Sequence, residues 1–380
     1  MPQGIKNLKK AARRILKAVK EKEKIILYGD ADLDGTTSVI ILKEAIKTLG
    51  CQPAFIYFPD REKEGYGISQ TSLGFLRKFR PALLISLDCG IGNFKEISLA
   101  NKMGFEVIVV DHHKALDPLP PAKIIVDPKQ KGDRYPFKDL AAAGITFKLA
   151  QDLLGGKMSR VLKKNFVELV ALATMADMMP KISENKDFIE EGLYHLEDSW
   201  RPGIKAFFEA DFLKKYSLSE KVFKIISILN VRDVQDRQPA SFRLLTTSSL
   251  QEAALLIPKL YEKNRERKKK VSQGVELIEK KISGKKEPII FEGDDVWDFI
   301  IISPVASILC KNSGKPTFIF KKLDQESQGT VRVPSGIDSV SLMEKCKKLL
   351  ITFGGHPQAS GFRIKNRNLQ SFKKCLIENL

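Results

Sequence analysis

Ile25-Ile-Leu-Tyr-Gly-Asp-Ala-Asp-Leu-Asp-Gly35 decides the fold: an apolar run stops at Gly29, three carboxylates alternate with apolar residues, and a helical pattern follows. An apolar run without polar alternation is the mark of a strand covered on both faces, as in a parallel sheet. Working outward, further β-rich runs stand at 54–58, 83–87, 107–110 and 124–126, with helical patterns at 36–49, 69–79 and 94–103 between them. This alternation predicts an α/β domain, a parallel sheet with helices on both faces. In such a sheet ligand chemistry gathers beyond the carboxyl ends of the strands, where the acidic stretch lies.

Toward the N-terminus, Leu8, Ala12, Ile15 and Val19 recur at helical spacing, with Lys9, Lys10, Arg13, Arg14, Lys17 and Lys20 on the other faces. Such a helix can meet a membrane or an RNA; the strand that follows so soon favours an apolar stripe packed on the adjoining domain. Toward the C-terminus, helical patterns at 140–154 and 161–175 lead into 181–283, which holds no convincing strand series and reads as a helical connector. Its last part, 250–282, is one long helix carrying Lys263-Asn-Arg-Glu-Arg-Lys-Lys-Lys270, either a solvated face or a phosphate-tracking strip. After Gly284, strands are expected near 289–291, 299–302, 317–320 and 330–333, with helices near 340–350 and 369–378: a second, smaller α/β domain. The expected division is 1–182, 183–284 and 285–380.

The 380 residues carry a net charge of +18, enough to attract a polyanion. Five cysteines without a C-x-x-C pair suggest neither a disulfide framework nor a structural zinc site, and a reducing cytoplasm fits them best. The longest apolar run, 299–310, is interrupted by Ser303 and Pro304 and is too short for a bilayer, and no signal peptide stands at the start. A cytoplasmic protein without membrane contact is expected.

Asp30, Asp32 and Asp34 sit so close that they repel one another unless cations neutralise them. Asp88, in Leu87-Asp-Cys-Gly-Ile-Gly92, ends another strand, and Asp111-His-His-Lys114 ends a third. Carboxylates with imidazoles suit Mn²⁺ or Mg²⁺ better than a thiolate-seeking metal. Asp177 lies in the apolar stretch Ala173-Thr-Met-Ala-Asp-Met-Met-Pro180, where an unpaired buried carboxylate is costly and calls for a cation. Together these have the composition of a two-metal phosphoryl-transfer site. No P-loop is present, and Gly90-Ile-Gly92 lacks the third glycine of a dinucleotide fingerprint. Hydrolysis of a phosphate ester is the chemistry these residues point to.

Asp111-His112-His113 resembles the signature of the DHH phosphoesterases. Gly29-Asp-Ala-Asp-Leu-Asp-Gly35, Pro59-Asp-Arg-Glu-Lys-Glu-Gly-Tyr-Gly67 and Ala143-Gly144 are similar to the RecJ branch of single-strand-specific exonucleases. Ile302-Ser-Pro-Val-Ala-Ser307, Gly329-Thr-Val-Arg332 and Phe353-Gly-Gly-His-Pro-Gln-Ala-Ser-Gly-Phe362 resemble the companion DHHA1 domain. The resemblance implies that Asp30, Asp32, Asp34, Asp88, His112 and Asp177 hold two Mn²⁺ or Mg²⁺ ions, with Asp88 bridging. It implies a catalytic set of Asp88, Asp111 and His113, where Asp111 orients its neighbouring imidazole and His113 faces the scissile phosphate. Arg61, Thr330, Arg332, Gly354, Gly355 and His356 would meet the nucleic-acid strand, held between the two domains.

Two positions depart from the branch pattern. Asn230-Val-Arg-Asp-Val234 lacks an arginine that Arg232 or Arg237 would have to replace, and Ile308 stands where an arginine follows Val-Ala-Ser. The OB-fold domain that the resemblance implies for many bacterial relatives is not expected within these 380 residues. The expected function is a metal-dependent exonuclease on single-stranded DNA or RNA, with replication or repair proteins as partners. The alternatives are a nanoRNase or cyclic-dinucleotide phosphodiesterase, and a replisome-associated DHH scaffold.

Overall fold

The computed structural model describes residues 4–61, 63–115, 117–231, 233–284 and 286–380 and divides into two compact units, Met1–Glu262 and Lys263–Leu380. In the first, strands β1 (Ile25–Gly29), β2 (Phe55–Tyr57), β3 (Ala82–Leu87), β4 (Phe105–Val110) and β5 (Ile124–Val126) form a sheet in the order β2-β1-β3-β4-β5. Every pairing is parallel. Helices α1 (Leu8–Lys20), α2 (Leu33–Thr48), α3 (Gln70–Leu76), α4 (Phe94–Lys102), α5 (Ala142–Leu154) and α6 (Arg160–Ala176) cover it. Strand residues alternate between two cores. Ile25, Leu27, Leu83, Ile85 and Ile108 pack with α1, α2, α5 and α6. Ile26, Tyr28, Leu84, Val107 and Val109 pack with α3 and α4. Two-sided burial explains why the strands read as unbroken apolar runs. The chain order reverses between β1 and β3, which is where ligands bind in open α/β sheets.

The stretch expected as a connector contributes to this first unit. Helices α7 (Ser183–Tyr194), α8 (Pro202–Glu209), α9 (Leu218–Leu229) and α10 (Ala240–Thr246), with the small hairpin β6 (Val234–Gln235) and β7 (Gln238–Pro239), surround the first core. Ile189, Phe207, Ile225, Leu229 and Leu245 are buried there beside α2 and α6 residues. The long helix expected at 250–282 is α11 (Leu250–Ile282), and the division between units falls inside it.

The second unit holds a mixed sheet of β8 (Ile290–Asp294), β9 (Thr317–Lys322), β10 (Glu326–Arg332), β11 (Leu350–His356) and β12 (Ala359–Lys365), in the order β11-β12-β10-β9-β8. Helices α12 (Phe299–Ser313), α13 (Ser339–Lys345) and α14 (Leu369–Glu378) accompany it. Three expectations are corrected here. The run 299–302 is the start of α12, not a strand, because Ile301, Ile302, Val305, Ala306 and Leu309 recur at helical spacing and bury one face. The segment around Gly354-Gly355-His356, where the sequence signals no strand, is strand β11, paired with β12. Cys346 and Cys375 form a disulfide between the end of α13 and α14, against the expectation of none. They lie 29 residues apart, so only packing brings the thiols together. Among the described residues no helix is long and apolar enough to cross a membrane.

Candidate metal centre

The acidic stretch works as a tight passage from β1 into α2. An ideal Cβ on Gly35 would lie 2.4 Å from the Asp30 carbonyl oxygen, and one on Gly29 would lie 2.4 Å from Val39 Cγ2, so both flanking positions need glycine for the close approach. Asp32 caps α2 by accepting the Gly35 N–H at 3.1 Å. Asp34, in the first turn, is buried and accepts the backbone N–H groups of Ala142 and Ala143, both at 2.8 Å. Those donors open α5, whose N-terminal dipole favours a negative charge.

Asp88 follows β3 in the left-handed region, φ +60°, a conformation Asp tolerates better than most side chains. Asp111 follows β4, and its carboxylate accepts N–H groups from Ile91 at 3.0 Å, His112 at 2.8 Å and His113 at 3.1 Å. It also meets His113 Nδ1 at 2.8 Å, so the imidazole that Asp111 orients is that of His113. His112 is oriented from elsewhere. Its Nδ1 lies 3.0 Å from the Leu140 carbonyl oxygen, an acceptor, so Nδ1 carries the proton and Nε2 of the neutral ring offers a lone pair.

That nitrogen lies 3.1 Å from Asp88 Oδ1, 3.5 Å from Asp34 Oδ2 and 3.5 Å from Asp177 Oδ2. Asp177 caps the end of α6. Four electron-pair donors converging in a buried place repel one another and fit a divalent cation. Asp34, His112 and Asp177 form one potential ligand triad, and Asp30, Asp32 and Asp88 another. The charges register the crowding. Burial, then Asp177 and Asp32, pushes Asp34 well above the usual carboxylate range, and burial with Asp34 and Asp32 does the same to Asp88. Burial and Asp32 raise Asp177 to about 7. Asp111 behaves oppositely: burial would raise it, but His113 and the surrounding N–H groups bring it down to about 2. His113 is lowered by burial, yet Asp111 beside it outweighs that and raises it overall.

Arg61, expected at the strand, donates to Asp30 Oδ1 at 2.8 Å and Asp32 Oδ2 at 2.9 Å and so neutralises the edge of the cluster. In the second unit, Arg332 donates to Ser307 Oγ at 3.0 Å, Ser303 Oγ at 2.6 Å and Thr330 Oγ1 at 2.9 Å, which joins two of the quoted motifs. Register links the third: Gly354 and Thr330 both pair with Gly361, while His356 and Arg332 both pair with Ala359. Gly355 has φ +133°, and a Cβ there would lie 2.6 Å from the Ala359 carbonyl oxygen. Of the two arginines considered as replacements, Arg232 lies outside the described residues. Arg237 donates to the Tyr57 hydroxyl at 2.7 Å and stacks over Phe75.

Three contributors escaped the sequence reading. Tyr66 donates its hydroxyl to the Asp88 carbonyl at 3.0 Å and lies 3.1 Å from His113 Nδ1; its place in the Glu-Gly-Tyr-Gly segment was the available signal. Asp127, buried just after β5, is raised to about 8 by burial and Asp111. The Leu140 carbonyl has no signal in side-chain identity at all.

Comparison with known proteins agrees with this architecture. The model of the DHH family, N-terminal domain, matches residues 24–174, and that of the DHHA1 domain matches 286–380. The single-stranded-DNA-specific exonuclease RecJ of Bacillus subtilis is 33% identical over 99% of this chain and 48% of its own length. That of Escherichia coli is 26% identical over 98% of this chain and 69% of its own. The chain thus spans about half the length of the Bacillus relative. A crystal structure of exonuclease RecJ bound to manganese superposes with a TM-score of 0.77 at 26% identity, covering 99% of this chain and 94% of that one. RecJ from Thermus thermophilus in complex with Mn²⁺ shares the fold, with a TM-score of 0.80 at 24% identity over 100% of this chain and 55% of that one.

Proposed function

The chain belongs to the DHH family with its DHHA1 companion domain, and from that premise we propose that it is a divalent-metal-dependent, RecJ-like exonuclease acting on single-stranded DNA. The observation that carries the reading is the convergence of Asp34, Asp88 and Asp177 on the lone-pair nitrogen of His112. Asp30, Asp32, Asp34, Asp88, His112 and Asp177 are proposed as ligands of two Mn²⁺ or Mg²⁺ ions. Asp88 belongs to one triad and lies 3.1 Å from the histidine of the other, so it would serve both groups. A bound divalent cation supplies Lewis-acid stabilisation of phosphoryl oxygens and lowers the pKa of water.

The chain's own residues do the rest. Asp111 holds the His113 imidazole in place and favours its protonated form, which would neutralise charge on a non-bridging oxygen. Arg61, Thr330, Arg332, His356 and the backbone of Gly354 and Gly355 are proposed to grip the strand. The single-stranded DNA specificity of the RecJ relatives and the +18 charge support this.

The test is turnover of 5′- and 3′-end-labelled single strands, DNA and RNA in parallel, with Mn²⁺. Mononucleotide release from DNA by the wild type, its loss in Asp88→Ala and its loss in EDTA are expected. Full turnover by Asp88→Ala would overturn the assignment.

A further inference from the structure

We propose that the exposed face of α1 is a second, non-catalytic binding surface for the nucleic-acid strand, joined to the metal centre by Lys129, Lys131 and Lys6. The inference rests on the reading that the substrate is a strand, and it adds a track outside the site. At 3.6 residues per turn, Lys9, Lys10, Arg13, Lys17 and Lys20 fall within an arc of about 100°. All five are exposed, while Leu8, Ala11, Ala12, Ile15 and Ala18 are buried on the opposite side. The stripe from Lys9 to Lys20 is about 17 Å long at 1.5 Å per residue.

Arg14 shows what a structural arginine on this helix looks like. It leaves the stripe, is half-buried, and is held by Glu23 and Glu106 at 2.6 Å each. The stripe residues differ. Lys17 has an exposed partner in Glu21 at 3.7 Å, a weak pair, and among the described residues Lys9, Lys10, Arg13 and Lys20 form no ion pair. Such an unneutralised row suits successive phosphates.

The row does not stand apart from the site. Asn7 donates to the Ile125 carbonyl at 2.9 Å, and Lys6 Nζ donates to the Lys131 carbonyl at 2.8 Å, so the start of α1 is fastened to the end of β5. β5 lies in register beside β4, whose end carries Asp111 to His113. Lys129, half-buried on the segment between, donates its backbone N–H to Asp127 Oδ1 at 2.7 Å, just beyond the end of β5. Of the two acids on this path, Asp127 is buried, and Asp133 is taken up by the N–H groups of Lys6 and Tyr135 and by the Lys138 ammonium. A strand leaving the centre over the β5 edge therefore meets Lys129, Lys131, Lys6 and then the α1 row. The buried apolar side of α1 leaves only Leu16 on its outer flank, too little to enter a bilayer, so the anion favoured is nucleic acid.

The test compares wild type with a variant combining Lys9→Gln, Lys10→Gln, Arg13→Gln, Lys17→Gln and Lys20→Gln, changes close to neutral in helix propensity. Binding of fluorescent dT6 and dT40 is read by anisotropy in EDTA, so turnover does not enter. The variant is expected to bind dT40 at least tenfold more weakly at 100 mM salt. Its slope of log K against log salt should be shallower by about 3, at roughly 0.7 per phosphate contact. Binding of dT6 should stay within about twofold, because charges beyond a Debye length of about 10 Å are screened. Arg14→Gln should lower the melting temperature and leave the slope alone. Unchanged dT40 binding, an equal loss for dT6, or a loss confined to phosphatidylglycerol vesicles would each overturn the proposal. A wild type that binds dT40 but cleaves nothing with Mn²⁺ overturns the exonuclease reading and leaves this one standing.

Discussion

Asp111 and His113, two residues apart on one strand end, close a loop in which a single carboxylate oxygen meets both the backbone N–H and Nδ1 of the histidine, at 3.1 and 2.8 Å. The imidazole therefore cannot turn without breaking a charge-assisted bond, and its other nitrogen is held at a fixed angle to the carboxylate cluster.

Asp111→Asn keeps the shape but turns an acceptor of three N–H groups into a side chain with donors of its own. Turnover should fall about 10–100-fold, as for other residues that orient a site from behind it. Mn²⁺ affinity measured by calorimetry should change far less. A parallel loss of metal binding would make Asp111 a ligand instead.

Asp88→Asn should separate stability from function. Asp88 is buried among Asp34, Asp32, Asp177 and Asp111, so removing its charge relieves repulsion, and Asn accepts φ +60° readily. The metal-free variant should melt higher than metal-free wild type, by about 1–2 kcal/mol in stability. Mn²⁺ should raise the wild-type melting point by mass action and leave the variant nearly unmoved. An equal Mn²⁺ response in both proteins would argue against Asp88 as a ligand.

Gly35→Ala places a Cβ 2.4 Å from the Asp30 carbonyl oxygen and 2.8 Å from its nitrogen, both backbone atoms that cannot step aside. A stability loss of about 2–4 kcal/mol is expected, together with loss of metal binding, because the turn presenting Asp30 and Asp32 must open. Gly50→Ala, in open space though at φ +83°, should cost far less and spare metal binding. Denaturant melts and a Mn²⁺ titration of the two variants decide this.

Glu168 predicts a pH dependence away from the centre. It is buried in α6, accepts the Ser199 hydroxyl at 2.6 Å, and burial raises it to about 7 from an ordinary value of 4.5. The folded protein thus holds this proton more tightly than the unfolded chain. Its stability contribution is complete below pH 4.5 and is lost as pH rises toward 7. Glu168→Gln should accordingly stabilise by about 1–3 kcal/mol at pH 8 and make little difference at pH 4.5. The opposite ordering, read from urea melts at the two pH values, would show that Glu168 ionises favourably in place.

Much of the fold was legible because it is written in local chemistry. Burial on both faces makes parallel strands apolar throughout, and 250–282 carried a helical pattern over its whole length. Errors came where local signals were equivocal. Phe299-Ile-Ile-Ile302 has β-branched residues and the length of a strand, and only the longer period through Leu309 reveals α12. Gly354-Gly355 carries no strand signal, yet pairing with β12 holds the segment extended. The Cys346–Cys375 link and the joining of α7 to α10 with the first core depend on packing between distant segments.

The same division holds at the centre. The sequence by itself determined which chemistry was available: carboxylates and imidazoles at successive strand ends, where parallel sheets leave their ligand-binding edge. Only tertiary structure decided what each group faces. Leu140 brings a carbonyl to His112 Nδ1 and so aims Nε2 at three carboxylates, and the opening of α5 supplies the N–H groups that hold Asp34. These are backbone atoms, identical in every residue type, so no reading of side chains could assign them. Their roles come from where the folded chain puts them.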